Sequence, residues 1–134
     1  MSQENVEIVR HAFESWNSGE FDAFVRRFGH EDVELHIVGG LSDLVGETFA
    51  GHSGVTRFWR DIVGTLGLQI EVEAVHDVDE RVAVVLAQEG TGEESGAPIT
   101  LRIGQVWTFR EGKVIRVDSY YTPDEALEAV GLRE

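Results

Sequence analysis

Few side chains in this sequence could do chemistry, and the face on which each one falls decides what it could do. Ile99, Leu101, Ile103, Gln105, Trp107 and Phe109 recur at every second position, with Thr100, Arg102, Gly104, Val106, Thr108 and Arg110 between them. Ile115, Val117, Ser119 and Tyr121 form a second alternating row, opposite Val114, Arg116, Asp118 and Tyr120. This period of two is that of strands with one apolar face. Each apolar row is broken by one polar residue, Gln105 in the first and Ser119 in the second. A buried amide or hydroxyl without a partner costs about 1–3 kcal/mol. The two therefore either bond each other or a trapped water inside a filled core, or they face a ligand cavity. In a cavity, the Gln105 amide could donate to a developing oxyanion. His36 is the other candidate, since an imidazole suits removal of a proton beside a carbonyl at neutral pH. Local parity groups His36 with Glu34 and Val38, away from Val33, Leu35 and Ile37. Asp118 shares its face with Arg102 and Arg116, which makes it part of a salt-bridged surface or subunit contact rather than a catalytic acid.

Other chemistries find little support. With no cysteine there is no disulfide framework, thiolate metal site or cysteine nucleophile. His30, Glu31, Asp32 and His36 lack any metal-ligand spacing, and no metal is expected. The segment Gly90-Thr91-Gly92-Glu93-Glu94-Ser95-Gly96 lacks the third glycine of a dinucleotide loop and reads as a solvated hairpin loop, so no cofactor is expected. Asp77, Asp79 and Glu80 read as a charged turn. Trp16, Phe58, Trp59 and Trp107 are either core or the lining of a pocket.

The elements that would position these residues follow from pattern. Val6, Val9, Phe13 and Trp16 make one face of a first helix, stopped at Asn17-Ser18-Gly19. Phe21, Phe24, Val25 and Phe28 repeat that spacing in a second, short helix. Asp32–Val38 reads as a strand, and an irregular loop runs from Gly39-Gly40 to about Ala50. Val55, Phe58, Trp59, Ile62, Val63 and Leu66 define a third helix, with Ser53 as N-cap and Gly67 as its stop. Strands follow: the alternation of Leu68, Ile70, Val72 and Ala74, then Val82–Ala87, apolar on both faces as in a central strand. The two rows described first complete the set, joined tightly at Glu111-Gly112. Thr122-Pro123-Asp124-Glu125 closes the chain with a capping box and a proline at the first helical position. Early helices followed by a strand meander argue for an α+β fold. The expectation is a cone-shaped, bent antiparallel sheet wrapped around three helices of the N-terminal half, with an apolar pocket at its wide end.

A length of 134 residues fits one domain, 1–134. With 25 acidic against 11 basic residues the formal charge is −14, which repels nucleic acid and anionic lipid. No signal-like leader or membrane-length apolar run is seen, and a cytoplasmic location is expected.

Val6-Glu7-Ile8-Val9-Arg10 through Trp16-Asn17-Ser18-Gly19-Glu20-Phe21-Asp22, together with Gly51-His52-Ser53-Gly54-Val55, resembles SnoaL-like proteins. So do the hairpin Val106–Val114 and the tail Glu125–Leu132. These belong to the nuclear-transport-factor-2-like superfamily, with ketosteroid isomerases, polyketide cyclases, dehydratases and epoxide hydrolases among its members. The resemblance covers nearly the whole chain and implies an α+β cone with a pocket. It specifies fold far more than chemistry. Set against ketosteroid isomerases, the base position falls on His36, the oxyanion-hole tyrosine on Ala12 and the oxyanion-hole aspartic acid on Gln105. Against SnoaL cyclases, the acid/base aspartate position falls on Ser119, and the acidic set of limonene epoxide hydrolases has no match. The resulting expectation is a small-molecule-binding domain, acting as an isomerase, cyclase or dehydratase on an apolar carbonyl compound with His36 as base and Gln105 polarising the oxygen. The alternative is a non-catalytic binding or dimeric accessory protein. Its pocket would be lined by Trp16, Phe58, Trp59, Leu101, Ile103, Trp107, Val117, Ser119 and Tyr121. Its partners would be a small apolar ligand and a second copy, bound through an exposed sheet face carrying Arg102, Val106, Arg116, Asp118 and Tyr120.

Overall fold

The apolar stripe of Val9, Ala12, Phe13 and Trp16 is buried along one face of helix α1 (Ser2–Ser18). This helix ends where Gly19 takes a φ of +84°, a left-handed conformation that favours glycine. In the computed structural model, residues 2–38, 48–91, 96 and 98–132 are described, with the side chains of 2, 62–66, 91 and 99 outside that set. Helix α2 (Phe21–Phe28) buries Phe21, Phe24 and Val25. It runs directly into β1 (Gly29–Val38), followed by the short β2 (Thr48–Ala50) and helix α3 (Gly51–Leu66). Most of the expected irregular loop, residues 39–47, lies outside the described residues, as does 92–95 of the glycine-rich segment. Strands β3 (Gln69–Val78), β4 (Arg81–Thr91), β5 (Pro98–Arg110) and β6 (Lys113–Tyr120) and helix α4 (Pro123–Ala129) complete the chain.

The strands form one six-stranded sheet in the order β2-β1-β6-β5-β4-β3. The α+β architecture and the antiparallel meander β3–β6 are as the pattern predicts. The sheet is mixed, however, because β1 lies parallel to β6 and antiparallel to β2. Period-two alternation fixes which face a residue occupies but carries no information about strand direction. β1 also starts three residues earlier than its alternation suggests, and its register with β6 breaks between Gly29 and Glu34. At that start the Gly29 carbonyl accepts a hydrogen bond from Nε2 of His52, in the first turn of α3, at 2.8 Å.

β4 is interior to the sheet, and both of its faces are covered. Val82, Val84 and Leu86 are fully buried in the main core, which joins α1, α2, α3 and the inner sheet face. Ala83 belongs to a second cluster on the outer face, with Val106, Ala126, Leu127 and Val130. Of the sheet face expected to be exposed, Arg102 and Arg116 are open, but α4 lies across Val106 and leaves it only 4% exposed. Gly104 makes this close approach possible: a Cβ placed there would stand 2.5 Å from Ala126 Cβ and 2.9 Å from Pro123 Cα. The helix starts as the sequence indicates, with a capping box between Thr122 and Glu125 and proline in the first turn. No helix among the described residues is long and apolar enough to cross a membrane.

Candidate functional site

The inner face of β5 points Leu101, Ile103, Gln105 and Trp107 towards α1 and α2, while β6 adds Val117 and Ser119 beside them. These walls do not meet. They leave a cavity of about 330 Å³, within the size range of small-molecule sites. Phe13 and Trp16 of α1, Phe21 and Phe24 of α2, and Val33, Leu35 and Ile37 of β1 supply much of the remaining wall. Leu101 (41% exposed) and Tyr121 (58%) line the cavity yet stay open to solvent, which puts its mouth beside them.

Gln105 and Ser119 are directly paired across β5 and β6. Gln105 Nε2 donates to Ser119 Oγ at 3.4 Å, a long contact, and Trp107 Nε1 donates to Gln105 Oε1 at 2.9 Å. Because the indole N–H can only donate, this second bond fixes which end of the amide is oxygen. The two alternatives left open by the sequence are therefore not exclusive, since the pair bond each other and also border the cavity.

His36 and Trp59 fall outside the cavity wall. His36 Nε2 donates to Glu34 Oε1 at 2.8 Å, and its Nδ1 lies 3.4 Å from Thr48 Oγ1 on β2. This placement follows the local parity of β1, in which Val33 and Leu35 take the buried side. Glu34 is among the residues at the wall, but its side chain shares the His36 face of β1, opposite Val33, Leu35 and Ile37, and its carboxylate is turned to the imidazole. Trp59 stands one layer back, packed edge-on against Trp16 at 5.8 Å and stacked on Phe21 at 5.4 Å. Its Nε1 is buried without a hydrogen-bond partner among the described residues. The other expected lining residues, Trp16, Phe58, Leu101, Ile103, Trp107, Val117, Ser119 and Tyr121, all border the space. Among the lining residues that sequence reasoning did not single out for the pocket are Phe13, Phe21, Phe24, Glu34, Ile37 and Gln88. Phe13 and Phe24 lie on the same helical stripes as residues already singled out, and Glu34 sits two positions from His36 on one strand face.

The aromatic wall is braced from outside. Trp16 Nε1 donates to the Leu68 carbonyl at 2.9 Å. The neighbouring Asn17 amide pairs with both backbone groups of Ile70 at 2.8 and 2.9 Å, which fastens α1 to the edge strand β3. Asp118 is bound by Arg116 Nε at 2.9 Å on the outer face, clear of the cavity wall. Burial, with the Asp118 charge second, holds the Tyr120 phenol above its ordinary range.

Residues 9–117 match the SnoaL-like domain family. Among solved structures, an NTF2-like protein of unknown function from Burkholderia pseudomallei superposes with a TM-score of 0.78 at 22% identity, over 98% of this chain and 99% of that one. TerC, co-crystallised with polyporic acid, gives 0.78 at 23% identity over 95% and 98%. A protein from Jannaschia sp. provisionally named a SnoaL-like polyketide cyclase gives 0.79 at 15% identity over 100% and 96%. At such identities the likeness is one of fold. No curated protein matches the sequence.

Proposed function

Since the chain belongs to the SnoaL-like domain family, we propose that its cavity binds a small, largely apolar, oxygen-bearing molecule. The observation that carries this reading is the pairing of Gln105 and Ser119 at the edge of a cavity walled mainly by Trp, Phe, Leu, Ile and Val. Apolar walls supply affinity through burial, and a few fixed polar groups supply orientation. TerC, of similar fold, was crystallised with polyporic acid, which fits the idea of an organic guest in this architecture. The test is a titration of the purified protein with hydrophobic ketones, followed by tryptophan fluorescence. Wild type is expected to bind, and Val117→Phe, which fills the cavity, to bind at least tenfold more weakly with little change in melting temperature. Equal binding by the two proteins would place the ligand elsewhere.

A second reading is acid–base catalysis of isomerase, cyclase or dehydratase type, with the hydrogen-bonded pair of Glu34 and His36 on β1, beside the cavity, as the groups able to take a proton. In this reading Glu34 takes a proton from the carbon beside a bound carbonyl, and His36 positions the carboxylate. Incubating the ketone with protein in D2O should then exchange that proton for deuterium, and Glu34→Gln should stop the exchange. Exchange no faster than in buffer leaves the binding reading alone. Any homodimer would use the outer sheet beside α4, around Arg116 and Asp118, and light scattering tests it.

A further inference from the structure

The hydrogen bonds beside the cavity run in one direction. Trp107 donates to Gln105, and Gln105 donates to Ser119. An indole can only donate, so the amide oxygen is taken and its NH2 group is turned towards Ser119. One amide N–H reaches Ser119 Oγ, which leaves the second N–H and the Ser119 hydroxyl proton. Neither has a protein acceptor among the described residues. Both side chains border the cavity, and their polar atoms stand 3.4 Å apart. An oxygen placed over that gap comes within ordinary hydrogen-bond distance, about 2.9 Å, of both atoms. Chains of this kind polarise along their length, so donation by Trp107 strengthens the donors at the far end.

We infer that Trp107 sets the hydrogen-bond polarity of the site, so that it selects a ligand presenting a bare acceptor, a carbonyl oxygen or its conjugate oxyanion. Trp107 acts through Gln105 and is a positioning residue. Without the indole N–H, the amide is free to turn over and present its oxygen, and the preference is lost. This inference rests on the proposed binding function and adds the residue that fixes the donor polarity of its site.

The test compares two ligands of one shape, 1-tetralone and its exocyclic-methylene analogue, in which C=CH2 replaces C=O. The quantity read is the ratio of their dissociation constants, which cancels general changes in packing. Replacing Gln105 by leucine should lower the preference for the ketone about tenfold, the worth of one good hydrogen bond. Trp107→Phe should lower it about threefold to tenfold. The carbonyl stretch of bound ketone should lie below its value in an apolar solvent in wild type and return towards it in Gln105→Leu. If Trp107→Phe does not fold, the indole N–H resonance of wild-type Trp107 takes its place, shifting with the ketone and not with the analogue. An unchanged ratio in Gln105→Leu or in folded Trp107→Phe, or a resonance that responds alike to both ligands, overturns the inference while the cavity reading stands. If wild type binds neither ligand, the cavity reading fails and takes the inference with it.

Discussion

Replacing Gly104 by alanine tests whether the terminal helix is fitted to the sheet as tightly as its geometry requires. The new Cβ would meet Ala126 Cβ at 2.5 Å, Pro123 Cα at 2.9 Å and the Pro123 carbonyl oxygen at 3.2 Å. Carbon atoms rest at about 3.5–4.0 Å, so α4 must lift by roughly 1 Å. No rotamer change can relieve this, because two of the three contacts are backbone atoms and the third is a Cβ. The lift loosens Leu127 and Val130 from Ala83 and Val106, all now buried. Overpacking of this kind costs about 1–3 kcal/mol, and relief of the glycine's unfolded-state entropy returns about 0.4–1 kcal/mol. The expected net loss is about 1–2 kcal/mol, or a fall of roughly 3–10 °C in melting temperature for a chain of this size. Urea denaturation and a thermal melt measure both. Ala126→Gly removes the shortest contact, so the double variant should lose less than the sum of the two single losses, by about 0.5–1 kcal/mol of coupling. A Gly104→Ala protein as stable as wild type, or single losses that simply add, would refute the packing argument.

Two further predictions follow from the sheet edge and the outer face. Asn17→Ala removes both hydrogen bonds to Ile70 and should cost about 1–2 kcal/mol, with faster hydrogen exchange at the Ile70 amide; exchange unchanged there would deny the clamp. The phenol of Tyr120 is raised by burial first and by Asp118 second. In alkali the unfolded chain therefore loses this proton before the folded one does. Its contribution to stability is intact below pH about 10, the ordinary range for tyrosine, and falls as pH rises through the folded value. Tyr120→Phe should flatten that alkaline decline, as read by denaturant midpoints on either side of it.

How much of this could be read from the sequence differs residue by residue. The inward facing of Gln105 and Ser119 was legible because strand parity is a local property, and their rows are otherwise apolar. The capping box at Thr122 and Glu125 was legible for the same reason, since its geometry spans four residues. Burial of Val106 was not, because its cover is a short helix that the chain delivers about twenty residues later. The direction of β1 beside β6 was hidden because parallel and antiparallel strands share one side-chain period. The resemblance to isomerases aimed His36 at the pocket, while parity set it with Glu34. Parity prevailed for both side chains, which bond each other on the face opposite Val33 and Leu35. Cavity volume depends on how far apart the layers settle, which no single segment encodes.

Glu111 and Gly112 join β5 to β6 in two residues, with φ values of +54° and +80°. A turn this short admits one alignment of the arms it connects. Lengthened by a single residue, it would let β6 slide, pass Ser119 to the outer surface and bring a different neighbour against Gln105. The donors facing the guest thus owe their partnership to a bend several residues away and to the one-residue register shift between Thr108 and Phe109. Length changes in the bend should alter ligand choice before they threaten folding.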